Sequence, residues 1–428
     1  MDYEVKSQTQ LAANPEIQAK NGLLYVLPQA LASTVNKTYI RQAAQRSSYD
    51  EGDTIVFDLN TGSRYIDPEN SYLMFDVFTD GGPLTKDTNY TAFNKDVGAL
   101  ALLNEFHCHA KSGVELDRIQ QVNQYAYSRA QQRENQDYWS RFASIFGGGT
   151  RPDGGVPILG QCSADPHRVA IPMKIISGLF DPVVKGMKMP PGLVSGARIE
   201  ITLESFGRAF SANQGSDDSK TYTVTNPIIV MMSHELGDNS QRVLNEESTE
   251  SGLEYTYPRV FTTLEPSSSN TVNIQIKKAV AQANRVFAVP ILSSGATSQA
   301  ADSFNSSLVY TRYQYRVGSL FYPQQRIDTR VEGFMTTLNS YGKLTNMGWY
   351  SPHLTYDQYV DSENGRTILG VGLMKDDKIN ISGVPINNSA TLELQATVAA
   401  GGVQRNWYVF MEYTACAKSF LTNVEVKI

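Results

Sequence analysis

At 428 residues, 41% hydrophobic and 19% charged, the chain has the length for two cores of about 200 residues each and the apolar content to fill them, which excludes global disorder. Its net charge is −6, and residues 1–50 set five basic side chains (Lys6, Lys20, Lys37, Arg41, Arg46) against four acidic ones (Asp2, Glu4, Glu16, Asp50), so no surface built mainly to neutralise phosphate is expected. Cys108, Cys162 and Cys416 are distant and odd in number, which argues against a disulfide framework and for a reducing compartment.

The opening MDYEVKSQTQ lacks an apolar h-region, so no signal peptide is expected, and the sequons at Asn36, Asn89, Asn305, Asn380 and Asn387 read as chance. No run approaches the roughly 18 apolar residues that a membrane helix needs. Residues 1–48 are rich in Gln, Asn and Ala, with one short apolar patch, Gly22–Leu27, before Pro28. They read as an N-terminal arm that packs on something else.

Strands follow at Thr54–Leu59 and Ser71–Thr79, where Ile55, Phe57 and Leu59, then Leu73, Phe75 and Val77, alternate with polar neighbours. Leu103–Ala110 reads as a further strand. The period then turns helical: Ile119, Val122, Ala126 and Ala130, continued by Tyr138, Trp139, Phe142 and Phe146, predict a helix or helix pair over Arg118–Phe146, stopped at Gly147–Gly149. Strands near Val169–Ile175, Ala197–Leu203 and Thr221–Met232 close the first half.

Residues 236–252, within the acidic stretch between His234 and Gly252, read as a solvated linker. Strands resume at Thr271–Lys277, Asn284–Ile291 and Leu308–Ile327. In the last of these Val309, Thr311, Tyr313, Tyr315 and Val317 share one face, and Gly318 breaks the alternation. A helix over Val331–Tyr341, with Phe334, Leu338 and Tyr341 on one side, precedes strands at Thr367–Met374, Thr391–Thr397, Trp407–Thr414 and Val424–Ile428. The order of strands, a strand feeding a helical insertion and more strands occurs twice. Leu103–Ile119 and Leu308–Ile327 are therefore expected to be counterparts. The domains predicted are an arm (1–48), a first roll (49–235), a linker (236–252) and a second roll (253–428). The fold class is mainly β, with two consecutive antiparallel eight-stranded jelly rolls and short helical insertions.

Candidate chemistry is sparse. His107-Cys108-His109 places two imidazoles on one strand face, without a second ligand pair of recognisable spacing. Ser233-His234-Glu235 lacks the downstream His of a zincin, and no Gly-x-Ser-x-Gly elbow occurs. Gly342-Lys343 lacks the upstream glycine of a phosphate loop, and Gly147–Gly149 lacks a following Lys. Asp357, Asp361 and Glu363 lack the ligand order of an EF-hand, and read as a solvated acidic loop. The tyrosines of Leu308–Ile327 have no interleaved Lys or Arg on their own face, so they read as core rather than a stacking platform. No catalytic residue, cofactor or metal site is expected.

Four stretches carry a resemblance: Ser63–Thr79 (SRYIDPENSYLMFDVFT); Gly113–Ile119 with Asn123-Gln124-Tyr125; Ile171-Pro172-Met173 through Gly178-Leu179-Phe180 to Ala197–Glu200; and Tyr315–Ser319 through Pro323. Together they resemble major capsid proteins of the double jelly-roll lineage, which includes adenovirus hexons, tectivirus-like phages, virophages and polinton-like or adintovirus-like elements. The resemblance spans most of residues 50–428 and brings no catalytic residue with it.

It implies two upright rolls per chain, three chains per pseudo-hexameric capsomer, and capsomers tiling an icosahedral shell. Implied partners are the chain itself, as a homotrimer and then neighbouring capsomers, with penton and minor capsid proteins beside it. It also implies an arm that ties neighbours or touches an inner layer or internal membrane, no strong direct nucleic-acid binding, and a place in the virion after synthesis in the host cytoplasm. The alternatives are a single elaborated jelly roll of picornavirus-like or parvovirus-like type, and a two-module carbohydrate-binding protein.

Overall fold

Period-two burial organises the structure, a computed structural model that describes residues 34–79, 91–93, 97–133, 167–184, 186–212, 221–292, 304–341, 354–362, 365–374, 383–387, 391–399, 403–420 and 423–428. The first half contains β1 (Thr34–Ala43), β2 (Ser48–Asp50), β3 (Thr54–Asp58), β4 (Tyr65–Thr79), β5 (Thr91–Phe93), β6 (Leu103–His109), β7 (Glu115–Gln120), α1 (Val122–Arg133), β8 (His167–Pro172), β9 (Arg198–Leu203), β10 (Phe210–Ala212) and β11 (Tyr222–Leu236). After α2 (Asp238–Glu250) come β12 (Leu253–Ser267), β13 (Thr271–Ile276), β14 (Val280–Leu292), β15 (Tyr310–Val317), β16 (Leu320–Ile327), α3 (Arg330–Asn339), α4 (Tyr356–Val360), β17 (Leu369–Gly372), β18 (Val384–Ile386), β19 (Leu392–Val398), β20 (Arg405–Ser419) and β21 (Val424–Lys427).

Two sheets in each half share one topology. In the first half the orders are β1-β11-β4-β8 and β3-β9-β6-β7; in the second they are β12-β20-β14-β17 and β13-β19-β15-β16. All these pairings are antiparallel, and each half is an eight-stranded jelly roll. A hairpin feeds a helix at the same place in both, β6-β7-α1 and β15-β16-α3, as the sequence comparison of Leu103–Ile119 with Leu308–Ile327 anticipates. A single elaborated roll does not fit this duplication.

The sheets face each other across side chains that the alternation identifies. Ile55 and Phe57 on β3, Ile199, Ile201 and Leu203 on β9, Val272, Ile274 and Ile276 on β13, and Leu392 and Leu394 on β19 are all buried. Each contributes about 1.5–3 kcal/mol. One continuous apolar cluster runs through both rolls.

Several boundaries differ from the sequence reading. Thr34–Ala43, expected in the arm, is a strand paired along β11, so the last part of that segment belongs to the first roll. The stretch 236–252 is solvated, as its composition indicates, but it is helical over Asp238–Glu250. The helix expected from Arg118 begins at Val122, because Glu115–Gln120 instead pairs with β6; its continuation through Tyr138–Phe146 lies outside the described residues. The strand at Val169 ends at Pro172, and Met173–Ile176 forms a helical turn. In β15 the register shifts between Tyr310 and Arg312, which turns Tyr310 inward and leaves Val309 and Thr311 exposed, while Tyr313, Tyr315 and Val317 remain buried. Gly318, at φ 59°, opens the two-residue turn into β16.

Candidate functional site

The residues singled out for chemistry are dispersed. His107 and His109 project from the same face of β6 with ring centroids 4.0 Å apart. His107 Nε2 lies 3.2 Å from Glu115 Oε2, and its Nδ1 lies 3.9 Å from Glu200 Oε2. Among the described residues no group of three or more His, Cys, Asp or Glu is placed to hold a metal ion. Cys108 faces the core, and burial pushes its thiol far above the ordinary range, where it is a poor nucleophile.

Ser233 donates to the Thr38 carbonyl at 2.9 Å rather than to His234. His234 instead faces Asp67 at 3.8 Å, and burial together with the nearby Lys188 ammonium lowers its pKa. No proton relay links Ser233, His234 and Glu235. Asp357 lies in α4 and Asp361 at its C-terminal cap. Glu363, Gly147–Gly149, Gly342, Lys343 and Cys162 lie outside the described residues. Tyr313 and Tyr315 are closed off inside the second roll, donating to the carbonyls of Gly370 (3.3 Å) and Leu369 (2.8 Å).

The chemically dense region is the seam between the rolls. Tyr255, Tyr257 and Arg259 share one face of β12 because strand side chains alternate. That face meets the first roll: Tyr255 donates to the Leu179 carbonyl (2.6 Å), Tyr257 to the Leu116 carbonyl (2.5 Å), and Arg259 Nη2 to Glu115 Oε1 (2.6 Å). Arg259 Nε also approaches Asp117 Oδ1 at 3.7 Å, while Ser177 donates to Asp117 Oδ2 at 2.5 Å. Asp117 is fully buried, and desolvation pushes its pKa up to about 6 against the pull of Arg259 and Ser177. For Glu115 desolvation also acts upward, but the Arg259 bond and charge hold the carboxyl below its ordinary range.

A second node forms where α1 of the first roll enters the sheet of the second. Tyr125 lies against Phe287 and Phe410, with centroids 6.2 and 5.6 Å away, and donates to Glu412 Oε1 at 2.8 Å. Tyr341 donates to the same oxygen at 2.7 Å, and Arg285 Nη1 lies 3.3 Å from the other. Arg129, one helical turn beyond Tyr125, reaches Asp181 at 2.6 Å, with Arg133 joining the same carboxylate. Desolvation acts to raise the Glu412 pKa, but the Arg285 and Arg129 guanidiniums and both phenols hold it below the ordinary value.

Both nodes fasten two folded units; neither presents an activated nucleophile to a cleft. Sequence reasoning passed over them, although a signal exists. Arg259 sits at an inward position of β12 after Tyr255 and Tyr257, and Glu412 stands alone in the apolar run Tyr408–Tyr413. A charge at an inward strand position demands a buried partner.

No family model matches the chain, and no curated protein does. Solved structures do. PBCV-1 VP54, a crystal structure fitted into a reconstruction of the virophage Sputnik, superposes with TM-score 0.62 at 9% identity, covering 94% of this chain and 99% of that one. The Faustovirus major capsid protein gives 0.62 at 7% identity, covering 97% and 100%. The fold is the double jelly roll of these capsid proteins. A structure of the Sputnik virophage at 3.5 Å adds a TM-score of 0.59 at 11% identity, covering 100% and 93%. Such identities report shared architecture rather than shared letters, in keeping with a likeness carried by apolar pattern.

Proposed function

We propose that this chain is a viral major capsid protein, which self-associates into trimeric, pseudo-hexameric capsomers that tile an icosahedral shell. The observation that carries this reading is the coextensive match: two complete rolls cover nearly all of this chain and nearly all of the capsid subunits it superposes on. Two equivalent rolls per chain give six similar wall units in a trimer, which approximates sixfold packing. The hydrogen-bonded seam suits a subunit whose task is shape, and no enzymatic step is assigned to it.

In this reading the partners are other copies of the chain, then penton and minor capsid proteins. The N-terminal arm reaches neighbours, or an internal layer or membrane. The mature location is the virion, following synthesis in the host cytoplasm, and genome contact through this chain is minor given its net charge of −6. Electron microscopy of the expressed full-length chain tests the reading: hexagonal trimers or closed particles are expected. A chain that stays monomeric by light scattering across concentration and salt would overturn it.

A further inference from the structure

The first strand of each roll lies at the edge of its sheet, and the two strands carry one pattern of letters. Met232 and Ala415 are each the eleventh residue of a 15-residue strand, β11 and β20, and they pair with Tyr39 and Tyr257. Two residues further along β1 and β12, Arg41 and Arg259 pair with Val230 and Tyr413. The registers therefore superpose Thr38-Tyr39-Ile40-Arg41 on Thr256-Tyr257-Pro258-Arg259, an internal repeat of Thr-Tyr-x-Arg. Their surroundings are opposite. Tyr257 and Arg259 are buried against β7 of the first roll, whereas Tyr39 is 59% exposed and Arg41 is exposed on the same face of β1.

The receiving side shows the same contrast. β7 and β16 are counterpart edge strands. β7 is covered by β12, while β16 has no strand on its outer edge among the described residues and exposes Leu320 (60%) and Phe321 (40%). Every residue of α1 from Val122 to Gln132 is buried, whereas its counterpart α3 buries Gly333, Thr337 and Leu338 and leaves Val331 exposed. A bare sheet edge flanked by large apolar side chains invites a covering surface.

We infer that the outer face of β1 seats on β16 and α3 of a second copy, repeating between copies the seam that β12 makes with β7 inside one chain. Tyr39 takes the place of Tyr257, and Arg41 that of Arg259. A guanidinium that leaves water needs a carboxylate. Asp328, exposed after β16, and Glu332, exposed in the first turn of α3, supply it, as Glu115 does for Arg259. The two surfaces differ, so the contact is head-to-tail: each copy offers β1 to one neighbour and β16 to another. Three copies then close a ring of six rolls. This rests on the capsomer reading above and adds to it which surfaces meet.

The test compares full-length chains by analytical ultracentrifugation. One variant carries Tyr39→Asp and Arg41→Asp and keeps β16 intact; the other carries Leu320→Asp and Phe321→Asp and keeps β1 intact. All four positions are exposed, so both variants are expected to fold. The parent is expected to sediment as a trimer and each variant alone as a monomer. Mixed, the variants are expected to yield a dimer that grows no further, because one compatible pair of surfaces remains. A mixture that re-forms trimers, or that stays monomeric however concentrated, overturns the head-to-tail pairing. A parent that stays monomeric overturns the capsomer reading and this contact together; a trimeric parent with either variant still trimeric overturns the contact alone. A second measurement needs neither variant. With benzoylphenylalanine in place of Tyr39, illumination is expected to link position 39 to residues 320–332 of a second copy, in a product that runs as dimer or larger on a denaturing gel. Links from a trimeric sample to other segments overturn the contact.

Discussion

Glu412 and Asp117 are both buried carboxyls at the seam, yet they respond to pH in opposite senses. The folded Glu412 pKa is depressed, so its contribution is present above the unfolded value of about 4.3 and disappears as pH falls through the lower folded value. Glu412→Gln leaves Arg129 and Arg285 without their shared counter-charge, and a loss of about 3–5 kcal/mol is expected at neutral pH, with a shallower acid limb in urea titrations. Asp117 is the reverse case. With a folded pKa of about 6 against roughly 3.9 unfolded, the folded state holds the extra proton in that window, so stability from this group declines as pH rises through it. Asp117→Asn, neutral throughout, is expected to lack that decline, and urea midpoints collected from pH 4 to 7 check it. Glu412 is marked in the sequence only as a lone charge in an apolar run, and neither acid's partner is readable there, because Arg259, Arg285 and Arg129 lie on other elements far away in the chain. The core residues of β3, β9, β13 and β19 were legible because alternation alone identifies them.

At the level of elements, the seam depends on close backbone approach as well as charge. Gly178, in the turn Gly178–Phe180, sits where an added Cβ would overlap the Pro258 carbonyl of β12. Gly178→Ala is expected to lower stability by about 1–3 kcal/mol by prising β12 from the first roll, read as a fall in thermal midpoint. β12 itself was missed by periodicity, since Pro258 and Arg259 interrupt an otherwise aromatic inward face. β7 was read into the following helix for a related reason: Asp117 and Arg118 break its alternation, and only the pairing with β6 makes it a strand. The inward turn of Tyr310 was also hidden, because a bulge changes the face of a residue without changing the letters around it.

For the whole molecule, the order of strands and helical insertions was readable twice over in the sequence, whereas the interlocking of the halves was not. Composition marks α2 as a solvated connection, and its outer residues Arg242, Val243 and Glu246 are exposed. Proteolytic nicking in α2 is therefore expected to leave two fragments that co-elute in native buffer, because α1 and β12 each cross the seam, and that part only in denaturant. Size-exclusion chromatography with and without urea distinguishes this from two independent modules, which would separate at once.

Synthesis runs from the first roll to the second, and the seam has two unlike sides. Once Leu236 has left the ribosome the first roll has all its strands, and Arg259 follows within ~1–5 s at ~5–20 residues per second. Throughout that interval Glu115 and Asp117 are without the Arg259 cation, which lies on the second roll, and the two carboxyls leave the seam less apolar than leucines at the same positions would, so it captures other nascent chains less readily. A chain stopped at Glu250 is expected to stay in solution longer than the same fragment carrying Glu115→Leu and Asp117→Leu, as sedimentation after cell-free translation will register. These carboxyls thus moderate the surface of the half-made protein, and become part of a clamp only when the second half supplies the cation.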